Sequence, residues 1–199
     1  MKKLTSTLPN MLLSLTIIAA VAAALLAFVY KTTKPTIDAS KLAALQAGIN
    51  QVVPQHDNVP YDERIELDGY QLYPAREGGA LVGMAVESST NNGFAGLVKV
   101  LVGIDMEGNI VDYTVLEQAE TPGLGSKMQE WFRVEGTPQS VIGASLVSPL
   151  AVSKDGGSVD AISAATISSR AFLETLNNGY AVMQKALSDE LIKKVESHE

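Results

Sequence analysis

"VDAISAATISSRAF", residues 159–172, leads from a short apolar run into a long helical pattern and is built almost wholly from small residues and hydroxyls. After it, apolar side chains at Phe172, Leu176, Tyr180, Met183, Leu187 and Leu191 recur every three or four residues. That spacing describes one buried stripe on an amphipathic helix running nearly to the C-terminus. Four hydroxyls, Ser163, Thr166, Ser168 and Ser169, crowd its start. A helix needs one such group as a cap. If the helix begins near Ser168, its unbonded N–H groups point at residues 163–167 and form an anion site from backbone alone. Ala164 and Ala165 leave the approach clear. A phosphate seat and an oversupplied cap both fit these residues.

Upstream the period changes from helix to strand. "ALVGMAVES" (80–88) reads as a strand and "STNNGFAG" (89–96) as a loop. "LVKVLVGID" (97–105) and "IVDYTVLEQ" (110–118) flank "MEGN", the pattern of a β-hairpin. "ETPGLGSKMQEWF" (120–132) is a Gly-rich turn entering a short helix. In it Pro122 fixes one dihedral, while Gly123 and Gly125 permit positive φ and close ligand approach. That turn is either a tight corner or a binding loop. "LAVSK", "DGG" and "VDAIS" suggest a further turn between strands, and residues 54–79, rich in Pro, Asp and Gly, read as irregular with short strands. The predicted class is α+β with an antiparallel sheet and flanking helices.

At the other end no charged residue lies between Lys3 and Lys31, and Met11–Tyr30 is a run of twenty apolar or small residues. A helix of that length spans about 30 Å, the hydrocarbon thickness of a bilayer. A cleaved signal peptide is the rival, but its A-x-A site (Ala22, Ala24) would cut inside the apolar run. The reading is therefore an uncleaved transmembrane anchor. Lys2 and Lys3 on one side nearly balance Lys31 and Lys34 on the other, so charge leaves the topology open. Residues 31–36 (KTTKPT) read as a linker. "IDASKLAALQAGINQVV" (37–53) reads as a helix with Leu42, Leu45 and Ile49 on one stripe and Asp38 or Ser40 as caps.

Composition excludes several chemistries. With no Cys there are no disulfides, thiolate metal sites, iron–sulfur clusters or Cys nucleophiles. Residues 36–199 hold all 22 acidic but 11 of the 15 basic residues, a balance of −11 that repels nucleic acid. His56 and His198 have no partner at ligand spacing and read as surface histidines, so no metal site is expected. Glu117 and Glu120 are close enough to suggest acid–base work, though a solvated face is the commoner meaning.

"DAISAATISS" (160–169) resembles the attachment motif of the bacterial FMN-binding domain family, Ser/Thr-Gly-Ala-Thr-x-Ser/Thr. "GFAGLVKVLVGIDMEGNIV" (93–111), "ETPGLG" (120–125) and Trp131 match in the same order, so the likeness covers residues 80–180. The pattern resembles in particular the G subunits of Rnf-type electron-transport complexes. The C subunits of sodium-translocating NADH:quinone reductases are a related alternative. The resemblance implies FMN held by a phosphoester to Thr166, attached by a flavin transferase. Ser163, Ala164, Ala165, Ser168 and Ser169 would hold the phosphate end, and Glu120, Thr121, Gly123, Leu124 and Gly125 would border the ring. Lys154 would offset phosphate charge. No catalytic residue is implied: the chain would be an electron-relaying subunit of a ferredoxin:NAD+ oxidoreductase coupled to Na+ or H+ movement, without turnover of its own. Its partners would be the complex's other membrane subunits and membrane lipid. The soluble domain would lie on the outer face of the bacterial inner membrane. A non-redox membrane-tethered interaction module and a stand-alone flavin reductase are the competing classes. The domain division is then an N-terminal tail (1–10), the anchor (11–30), a linker and N-terminal helix region (31–79), the FMN-binding domain (80–187) and a helix end and tail (188–199). One departure stands out. The motif's usual Gly is Ala164 here, and Ala disfavours positive φ.

Overall fold

The computed structural model describes residues 7–189, so the readings at Lys2, Lys3, Leu191 and His198 lie outside the described residues. The chain divides into two units, residues 1–44 and 45–199. The first holds most of helix α1 (Leu8–Val52), which carries large apolar side chains exposed all round its surface, among them Leu12, Ile18 and Leu26. A helix apolar on every side belongs in a protein core or in lipid. Among the described residues α1 is the one helix long and apolar enough to cross a membrane.

The linker expected at 31–36 is helical instead, with Pro35 inside α1, and Asp38 and Ser40 are interior positions rather than caps. Proline removes one backbone hydrogen bond and costs a helix interior about 3 kcal/mol. The residues beside it (Thr32, Thr33, Thr36, Ile37 and Asp38) are weaker helix formers, and the Ala- and Leu-rich runs farther out on both sides carry the helix through that single defect. The Thr32 and Thr33 hydroxyls bond back to the Phe28 and Val29 carbonyls at 2.9 Å, and Lys34 pairs with Asp38 one turn on.

In the second unit five strands form an antiparallel sheet in sequential order: β1 (Ile65–Leu67), β2 (Tyr70–Glu77), β3 (Ala80–Gly93), β4 (Gly96–Asp105) and β5 (Ile110–Gln118). Strand geometry sends alternate side chains to opposite faces. Val98, Val100, Val102 and Ile104 of β4 therefore enter one core while Leu101 enters the other. The larger core is closed by helix α3 (Thr166–Ser188), whose Phe172, Leu176 and Met183 are fully buried. The smaller core is closed by the last turns of α1, with Ile49, Val52 and Val53 against Tyr73, Ala75, Ala85 and Leu101. Gly103 permits that contact: a Cβ there would stand 1.7 Å from the Val52 carbonyl oxygen.

Three readings are sharpened or corrected. Residues 54–79, read as irregular with short strands, contribute β1 and β2 to the sheet, which therefore starts at residue 65. β2 (YQLYPARE) hides this, since it is buried on both faces and shows no alternation. Its Pro74 is tolerated because that residue's polar edge faces away from β3. The Pro74 carbonyl accepts from Asn58 Nδ2 at 3.0 Å, and the Asn58 side chain also accepts the Arg76 N–H at 2.9 Å. Asn58 thus replaces a strand neighbour at this edge. Second, the loop placed at 89–96 is mostly strand, and only Phe94 and Ala95 cross between β3 and β4. Third, residues 150–163 form no strand pair. They make a 3-10 turn (Ser153–Asp155) bracketed by a single parallel bridge, Val152 to Val159.

The outer edge of β5 is covered by the following segment. Helix α2 (Met128–Trp131) supplies Gln129, whose side-chain oxygen accepts the Val115 N–H at 2.6 Å. Arg133 donates to the Tyr113 carbonyl, and Ile110 exchanges backbone bonds with Gly143 and Ala144. Covering an edge in this way prevents pairing with other chains.

Candidate functional site

The loop before α3 is fixed at several points. The Asp160 N–H donates to the Pro138 carbonyl at 3.0 Å, and the Asp160 carbonyl accepts from Trp131 Nε1 at 3.0 Å. The Ile162 N–H donates to Ser169 Oγ at 3.0 Å, and Ser169 Oγ donates onward to the Ala165 carbonyl at 2.9 Å. These bonds leave Ser163 and Ala164 exposed and Thr166 half-buried. The helix opens at Thr166, two residues earlier than expected, and its first backbone bond runs from the Ser169 N–H to the Ala165 carbonyl. The N–H groups of Thr166, Ile167 and Ser168 therefore have no intrahelical partner.

A cavity of about 300 Å³ opens at this helix end. It gathers most of the expected residues: Glu120, Thr121, Leu124 and Gly125 from the turn, and Ala164, Ala165, Thr166 and Ser168 from the motif. Ser163 and Gly123 are exposed outside its lining, and Ser169 is buried beneath it. Two residues that sequence reasoning missed complete the wall, Phe94 and Ile167, which are 67% and 48% exposed. With Leu124 they set three large apolar side chains at one polar, hydroxyl-bearing mouth. A flat, mostly apolar ligand with an anionic tail matches that division.

Glu120 clamps the site. It is 4% exposed; one carboxylate oxygen accepts from Ser168 Oγ at 2.7 Å and the other from the Ala95 N–H at 3.3 Å. Three segments distant in sequence meet on this one side chain: the β3–β4 turn, the Gly-rich turn and α3. Gly125 makes room for it, since a Cβ there would lie 2.5 Å from Ser168 Oγ and 2.7 Å from Glu120 Oε2. Glu117 is exposed and lines a different cavity, so the two glutamates do not form an acid–base pair. Of the hydroxyls expected around an anion, those of Ser168 and Ser169 are used inside the fold. The Thr166 hydroxyl stays at the rim, where it accepts from Lys154 Nζ at 3.2 Å. Arg170 grips Asp155 with two 2.7 Å bonds, and its hydrogen bonds hold that carboxyl below the usual range. His56 bonds to the Pro54 carbonyl and Asn50, and among the described residues no cluster could hold a metal.

Ala164 has φ 61, in the left-handed region. The motif thus retains a glycine-like backbone with an alanine in it. That conformation costs an L-residue about 1–2 kcal/mol, partly offset because Gly would loosen the unfolded chain. Ala164→Gly should therefore stabilise the domain by about 0.5–1 kcal/mol, a rise in Tm of about 1–4 °C by thermal melting. A fall in Tm would show that the neighbours relieve the strain.

Comparison with known proteins agrees with this geometry. Residues 93–181 match the FMN-binding domain family and residues 13–52 match the RnfG N-terminal region. A relative from Yersinia pestis, the G subunit of an ion-translocating oxidoreductase complex, is 33% identical over 189 residues, covering 86% of this chain and 88% of the relative. The corresponding protein of Vibrio vulnificus (strain YJ016) is 32% identical, with 83% and 84% covered. That of Haemophilus influenzae (strain PittEE) is 31% identical, with 84% and 86% covered. With a cavity at the motif helix, an apolar N-terminal helix and likeness along most of its length, this chain belongs to the family of G subunits of ion-translocating oxidoreductase complexes and contains an FMN-binding domain.

Proposed function

We propose that this chain is a membrane-anchored flavin carrier, bearing FMN esterified through its phosphate to Thr166. In this reading it relays electrons within an Rnf-type ferredoxin:NAD+ oxidoreductase coupled to Na+ or H+ movement. The observation that carries it is the position of Thr166: a half-buried hydroxyl at the mouth of a cavity, at a helix N-terminus, beside a cation. FMN when bound supplies the electron-accepting and electron-donating chemistry. The residues of this chain hold it. The α3 N-terminus and Lys154 suit an anion, and Phe94, Leu124 and Ile167 offer apolar contact. Glu120 fixes the three segments that form the wall. Helix α1 serves as a single-pass anchor in the bacterial inner membrane, with the flavin domain on the outer face and the complex's other membrane subunits as partners. A tether suits that location, since a freely dissociating cofactor would be lost by dilution. The Glu120 and Lys154 side chains hold structure and charge rather than turn over substrate, so the chain works only inside its complex.

The test is an intact mass of the full chain produced together with a flavin transferase. The expected excess is FMN less one water, localised to the peptide containing Thr166. An unmodified mass, or an excess on another peptide, would overturn the proposal.

A further inference from the structure

Among the described residues, Thr166 is the one rim hydroxyl of the motif helix in contact with a cation, and the cation is held in place by the fold. Lys154 lies in the middle of the Ser153–Asp155 turn. The Ser153 N–H donates to the Val159 carbonyl at 2.8 Å and the Val159 N–H to the Ala151 carbonyl at 3.2 Å, tying the turn to the start of the motif loop. On its other side Asp155 is gripped by Arg170 of α3. The Lys154 backbone is thereby fixed on both flanks of Thr166, so the long side chain needs less ordering to reach Oγ1. The two nearby cations differ in availability. Arg170 is paired with Asp155, whereas among the described residues Lys154 has no carboxylate partner and its one hydrogen bond goes to Thr166.

From this arrangement we propose that Lys154 is the charge-compensating residue for flavin attachment, holding the Thr166 hydroxyl before the reaction and the new phosphodiester anion after it. The inference rests on Thr166 being the acceptor. In the step, Thr166 Oγ1 attacks the FMN-side phosphorus of FAD. The Oγ1–P bond forms, and the pyrophosphate P–O bond to AMP breaks. AMP leaves with the bridging oxygen and the electron pair, and the hydroxyl proton passes to a base of the transferase or to solvent. Nothing is oxidised or reduced. The Lys154 ammonium has no lone pair, so it is not that base. Its N–H occupies one lone pair of Oγ1 and leaves the other for attack. Once the ester exists, a neutral hydroxyl has become a monoanion next to a cation.

The experiment compares the wild-type chain, Lys154→Met and Lys154→Arg in detergent with a purified flavin transferase and FAD, following FMN gain by intact mass. Lys154→Met should slow turnover about 10-fold with the half-saturating chain concentration little changed, the size expected for losing one charge-assisted hydrogen bond. Lys154→Arg keeps the charge and should recover to within about 3-fold of wild type. Thermal melts should agree among all three, because the Lys154 side chain is exposed. Equal rates for Lys154→Met and wild type overturn the inference. So does an arginine variant as slow as the methionine one, which would assign the effect to shape rather than charge. A wild-type chain that folds and takes up no FMN removes the acceptor reading itself, and this inference with it.

Discussion

Thr166→Val should give a folded chain with no covalent flavin, visible as the loss of the fluorescent band after denaturing electrophoresis and of the FMN mass. Valine keeps the β-branched shape and differs in helix propensity by little. The lost contact is the rim bond from Lys154, and surface hydrogen bonds of this kind contribute about 1 kcal/mol or less. Stability is thus nearly untouched while the nucleophilic oxygen is gone. The expected fall in attachment is complete rather than graded, because no other group at that position can form the ester. Thr166→Ser restores a hydroxyl and should restore flavin in part, at the cost of one methyl group's packing. A yellow band surviving denaturation in the valine variant would refute the assignment to Thr166.

The largest expected effect on stability is at Phe172. Its ring is fully buried, stacked on Phe132 at 4.5 Å between centroids and edge-on to Tyr113 at 4.8 Å. It therefore joins α3, the segment following α2, and β5. Phe172→Ala removes the transfer energy of a large side chain and leaves a cavity, which together cost about 3–5 kcal/mol. A domain of this size is stable by about 5–15 kcal/mol in all, so the variant should lose about a fifth of its stability at the least. Denaturant titration followed through Trp131, the chain's one tryptophan, measures this directly, since its indole bonds to Asp160 in the motif loop. A loss below about 1 kcal/mol would mean that the core closes over the gap.

The two residues belong to one helix, and the sequence announced it clearly. Phe172 to Leu187 recur at helical spacing within a single window, so periodicity alone places α3 and its buried face. The β4–β5 hairpin was legible for the same reason, as two runs around a short Gly-Asn turn. The Gly-rich turn at 120–125 was recognisable as a turn, and its meeting with the motif helix followed only from resemblance. Phe94 gave no signal. It sits 72 positions before Thr166 in a stretch that reads as loop, and it reaches the cavity because β3 and β4 end there.

By itself the sequence determined the long apolar N-terminal helix, the strand and helix periods of the main elements, and the exclusion of thiol chemistry. Those depend on residue identity and near neighbours. The tertiary structure decided what depends on a distant partner. It admitted β2 to the sheet through pairing with β3, and β1 through pairing with β2. It also spent the Ser168 hydroxyl on Glu120, 48 residues away, and the Ser169 hydroxyl on the loop, leaving the Thr166 hydroxyl at the rim. Finally it held Ala164 left-handed, where local preference argues against it. The physical reason is common to all of these. A hydroxyl, an edge strand or a strained backbone has several nearly equal local solutions, and about 1–2 kcal/mol from a remote contact is enough to choose among them.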